Sequence, residues 1–115
     1  MNIQMIRGDT VQFKFQRVNS DGVILDTPYA MFFSVKETAN KERLVFQKTL
    51  DDMMMDEEGY WHFTIWPEDT NGKQYGNYVF DVEVIPQENY KSTVAFGTFK
   101  LLPEVTWAQN ETNGG

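Results

Sequence analysis

The sequence predicts an all-β chain folded as one antiparallel sandwich of about seven strands, on three observations. Its apolar residues recur with period 2 rather than 3.6. Turn-forming Gly, Pro, Asn and Asp separate the alternating runs at short intervals. Three Trp, five Tyr and nine Phe in 115 residues supply a large core without any disulfide staple, since the chain has no cysteine. The length suits a single hydrophobic core, expected over residues 1–106, with a polar tail over 107–115 that reads as a frayed end or linker.

The elements follow in order. A short strand is expected near Ile3 to Ile6. In Thr10 to Gln16, Val11, Phe13 and Phe15 point one way and Gln12, Lys14 and Gln16 the other, which is a half-buried strand. Asn19-Ser20-Asp21-Gly22 is a turn. Ala30 to Val35 is apolar on most of both faces and reads as a central strand. Glu37 to Arg43 has helical composition but lies between strands, so a connection is expected. Leu44 to Leu50 keeps Leu44, Phe46 and Leu50 in phase and breaks the pattern at Lys48. Tyr60 to Ile65 and Tyr78 to Val84 alternate most clearly, the first ended by Pro67. A last strand over about Val94 to Leu102 carries Gly97, which implies a bulge or a close backbone approach. Pro86 and Pro103 mark strand ends.

Charge and composition narrow the function. A net charge of −7 argues against a nucleic-acid backbone or an anionic membrane as partner. Residues 1–10 have no signal-peptide pattern, and no apolar run is long enough to span a bilayer. Neither cofactor nor metal is expected. The acidic run from Asp51 to Glu58 lacks the alternating ligand spacing of a calcium loop and reads as solvated. Within it, Met53, Met54 and Met55 are either core or, if exposed, a partner contact, and Trp107 in the tail is a second candidate contact. His62 is the single histidine, expected on a solvent face, and Ser20, Ser34 and Ser92 lie in no nucleophile-elbow context. No carboxylate pair stands out for glycoside hydrolysis. Arg7-Gly8-Asp9 reads as a structural turn rather than a displayed adhesion ligand. Trp66, Tyr75, Tyr90 and Trp107 fall outside strand phase, so a sugar-stacking platform would have to use them.

Several segments resemble a known group. RGDT at 7–10 precedes Phe13 and Phe15; Asp21-Gly22, Asp26 and FSVK at 33–36 follow; then PEDT at 67–70, Gly76, Tyr78-Val79-Phe80-Asp81-Val82, Thr93 and GTFKLLPEVT at 97–106. In this order they resemble the small immunoglobulin-like β-sandwich proteins of tailed bacteriophages, similar to the N-terminal domain of the phage baseplate upper protein. Lys73 and the segment Gln87 to Lys91 depart from that pattern, which touches loop geometry rather than fold. The resemblance implies an immunoglobulin-like sandwich and a non-enzymatic virion component of tail, baseplate or fibre, working by contact with other virion proteins, a homo-oligomer being one such arrangement. A carbohydrate- or host-receptor-binding module, with a host-surface glycan as ligand, is the alternative. Asp9 and Asp69 are expected to bond turn amides, Gly76 to allow a reversal, and Asp81 to face solvent or bond a loop.

Overall fold

The computed structural model describes residues 1–39 and 43–104. It is an all-β sandwich of two sheets. The strands are β1 (Asn2–Ile6), β2 (Val11–Gln16), β3 (Ala30–Lys36), β4 (Leu44–Thr49), β5 (Met54–Met55), β6 (Tyr60–Ile65), β7 (Gly76–Gln87) and β8 (Tyr90–Leu102). A 3-10 turn (Leu50–Asp52) and one helical turn, α1 (Pro67–Thr70), interrupt them. The large sheet runs β1-β8-β7-β3-β4 and the small one β2-β6-β5. The described residues hold eight strands against about seven expected, the extra one being the two-residue β5. Every pairing is antiparallel except β1 on β8, which is parallel.

Gly97 shows why that pairing forms. A Cβ there would lie 1.7 Å from the Met1 carbonyl oxygen, and the Thr98 N–H donates to that oxygen at 3.1 Å. The residue is therefore a close backbone approach. The irregularity lies nearby: Val82 opposes Ala95 and Glu83 opposes Thr93, leaving Val94 as the extra residue. Pro86 does not end β7, contrary to expectation. The β3 partner stops at Ala30 opposite Ile85, so a missing N–H at residue 86 breaks no bond to β3.

The core fills the space between the sheets. Phe33 is 2% exposed and its ring centroid lies 4.9 Å from Phe63, 5.7 Å from Phe80, 6.1 Å from Phe46 and 6.4 Å from Phe13. These offset and tilted arrangements suit ring quadrupoles as well as burial. Lys48, which breaks the β4 pattern in sequence, is buried, and its Nζ lies 2.6 Å from an Asp69 Oδ2 on α1. The same carboxylate oxygen accepts the Trp66 N–H at 2.7 Å, closing the turn that Pro67 starts. Removing it strands a cation in the interior. Asp69→Ala should cost about 3 kcal/mol in denaturant unfolding, and Asp69→Asn, which keeps an amide acceptor, should recover part of the loss.

Candidate interaction surface

The two ends of the sandwich differ in chemistry. At one end the segments 7–10, 67–70 and 103–104 meet. Arg7 Nε donates to Glu104 Oε1 at 3.0 Å and Arg7 donates again to the Lys73 carbonyl at 2.9 Å. Its guanidinium lies 4.2 Å from the Tyr75 ring centroid. Gly8, at φ +84°, donates its N–H to the Thr70 hydroxyl at 2.8 Å. So the Arg-Gly of 7–8, the Thr of PEDT and the Glu of 103–104 form one knot. Arg7 is consumed in it, which supports the structural reading of the Arg-Gly-Asp tripeptide. Asp9 departs from expectation: its backbone N–H closes a turn onto the Ile6 carbonyl, while Asp69 is the side chain that bonds an amide. Gly76 takes φ +133° at the first position of β7, where the chain turns into the strand.

The half of the molecule toward the β7–β8 turn is apolar and open. Met1 is 76% exposed, Val94 58% and Phe96 73%. The loop joining β2 to β3 adds exposed Val18, Val23, Ile24, Leu25 and Tyr29, and Tyr90 stands at the turn itself. Most exposed large apolar side chains of the described residues thus lie in this half. Single exposed apolar groups are ordinary. Here they flank both sides of the β8 edge, Val94 beside Leu25 at the groove and Phe96 opposite Asp81 on the outer face. It is their concentration in one half that marks a contact region. These side chains keep little pattern in sequence, because they sit in an irregular loop, at a bulge and at the chain start.

The residues singled out from sequence are scattered. Met53 is 6% exposed and packs in the core, so of the two readings it takes the packing one and is no contact residue. Met54 and Met55 are exposed on β5, the short edge of the small sheet. Trp107 lies outside the described residues. Trp66 and Tyr75 belong to the knotted end, whereas Tyr90 starts β8 beyond the far end of β7. At about 3.3 Å per residue, the 12 residues of β7 put roughly 40 Å between them. These three rings therefore form no single sugar platform.

The titratable groups have local roles. Asp56 accepts the Glu58 and Tyr60 N–H groups at 2.9 Å each, and its other oxygen lies 2.6 Å from His62 Nε2. The His62 bond, then the Tyr60 amide, hold its carboxyl below the usual carboxylate range. A depressed folded pKa contributes stability that is present above the unfolded value near 4 and lost as pH falls through the folded one. Asp56→Asn should therefore flatten the acid limb of a stability-against-pH curve as pH falls below the ordinary carboxylate range. His62 lies on the outer face of the small sheet, and Ser34, bonded by Gln47 at 3.0 Å, on the outer face of the large one. The two faces are separated by the whole core. Asp81 sits opposite Ser34 on the outer face of the large sheet, half-exposed as its place there implies, although its Oδ1 is shielded from water and has no hydrogen-bond partner. Among the described residues, no group of three or more acidic or histidine side chains is placed to hold a metal ion, and no helix is long and apolar enough to cross a membrane.

No protein-family model matches the chain, and no curated protein does. Among solved structures, it is similar to the protein described as a "putative glycoside hydrolase from Bacteroides vulgatus", at 16% identity and a TM-score of 0.46. The match covers 89% of this chain but 16% of that one. At that level the likeness transfers no activity.

Proposed function

We propose that the chain is a non-enzymatic virion component, associated with a tail, baseplate or fibre, that acts by docking onto other virion proteins. The observation that carries the docking part is the apolar half around Tyr29, Val94 and Phe96, set against a knotted polar end. The resemblance to immunoglobulin-like phage proteins supports the virion part. A scaffold alone fixes no function, so weight rests on the surface. The glycan-binding alternative needs adjacent stacking rings, and Trp66 and Tyr90 are far apart.

Quantitative peptide mass spectrometry of purified particles tests this reading. The chain should be present at a fixed copy number that fits a cyclic assembly. Its absence from particles, with the protein abundant in the lysate, would overturn the proposal.

A further inference from the structure

Two neighbouring strands of one sheet bury their inward residues unequally. On β6, Trp61, Phe63 and Ile65 are at most 5% exposed. On β2, Val11, Phe13 and Phe15 face the same way yet are all only half-buried. The difference is an apolar groove of about 520 Å³ beside β2, walled by Ile3 and Ala95 of the large sheet and reaching down to Phe33 and Phe63. Three strands lie over five here, and β2 is the edge of the smaller set, with β6 as its one strand partner among the described residues.

In an antiparallel pair, alternate residues turn their N–H and C=O toward the partner and the others turn them away. Every second residue of β2 thus offers a donor and an acceptor to the open side. Lys14, the one charged residue of β2, lies over the Tyr60 ring at 4.8 Å. Lys14 and Gln16 border the groove, but the Lys14 ammonium is drawn away from it to the Tyr60 ring. Arg17 stands at the mouth of the groove. Its guanidinium donates to the Asp26 carbonyl at 2.8 Å, and no carboxylate pairs with it among the described residues. Burial lowers its pKa, the mark of a cation partly withdrawn from water. A small apolar ligand would cover the floor and leave the β2 backbone unpaired. An extended peptide satisfies both, since strands pair about 4.8 Å apart within a layer about 10 Å from the facing sheet.

We propose that this groove is a strand-acceptor site, in which an extended segment of a partner protein adds to β2 as a fourth strand. Its alternate apolar side chains point toward Phe33 and Phe63, and a carboxylate near one end meets Arg17. The inference rests on the docking function proposed above and names its mode.

A display library of random octapeptides, panned on the immobilised full chain, tests it. Enriched peptides should alternate apolar and polar residues and carry Asp or Glu near one end. Ala95→Trp, which fills the groove from the large sheet, should weaken a synthetic copy of the best peptide at least tenfold. Arg17→Gln should weaken it severalfold and erase the acidic preference, and thermal melts check that both variants fold. Enrichment without alternation, no enrichment, or binding that survives Ala95→Trp overturns the inference. So does decanoate binding in the groove with no peptide bound. Binding lost on Phe96→Ser but kept in Ala95→Trp leaves docking intact and removes the strand-acceptor site alone, whereas absence of the chain from particles removes the virion reading.

Discussion

Replacing Phe33 with alanine is expected to destabilise the fold by about 3–5 kcal/mol, the largest loss from any single core change. Four rings pack against it, and its remaining side floors the groove beside β2. Phe13 and Phe63 approach it from the small sheet, and Phe46 and Phe80 flank it on the large one. Truncation removes the transfer free energy of the side chain and leaves a cavity that four large rings cannot close without leaving their rotamers. Domains of this size have stabilities of about 5–15 kcal/mol, so the variant would be marginal, with a Tm lower by roughly 10–20 °C. Phe15→Ala is the internal comparison. That residue is half-buried along the groove, so its loss should be well under half as large. Denaturant unfolding of both variants checks the contrast.

The second large effect concerns association rather than folding. The triple change Tyr29→Ser, Val94→Ser and Phe96→Ser should lower docking onto particles prepared without the chain by at least a hundredfold. Exposed aromatic anchors carry a disproportionate share of contact energy, commonly about 1–2 kcal/mol or more each. The same side chains contribute little to the fold, being 66%, 58% and 73% exposed. The monomer should therefore keep its Tm within a few degrees. The matched control is Trp66→Ser with Leu44→Ser, at the knotted end, which should leave docking unchanged. Sedimentation of particles with bound chain reads the outcome.

How much of this was legible in the sequence depends on how local its cause is. Strict alternation placed β2, β6 and most of β7, because a strand with one wet face writes its register into the chain. Lys48 looked like a flaw in β4. It is a core-facing position whose partner, Asp69, lies 21 residues away, and no window on β4 contains that fact. The early start of β8 at Tyr90 was missed because Val94 is an extra residue that breaks the alternation. The short words RGDT and PEDT were visible as words, but their meeting through Gly8 and Thr70 is a tertiary event.

The candidate surface was less legible still. Met53 to Met55 drew notice as a cluster, and the fold buries the first and exposes the other two, since the turn at Leu50–Asp52 tucks Met53 under the sheet. The groove beside β2 has no sequence signature, because Phe13 and Phe15 keep the phase of any core strand. Their half-burial follows from three strands lying over five. Arg17 likewise reads as an ordinary surface cation until the fold sets it beside Val18 and Leu25.

Hydroxyl-radical footprinting of the chain, free and bound to the particle, tests the docking surface most directly, because Met, Tyr, Trp and Phe are the residues it reads. The account predicts protection at Met1, Tyr29, Tyr90 and Phe96 on binding, with Trp66 and Tyr75 at the opposite end oxidised as in the free chain. Protection centred on Trp66 and Tyr75, with Tyr29 and Phe96 still reactive, would contradict it.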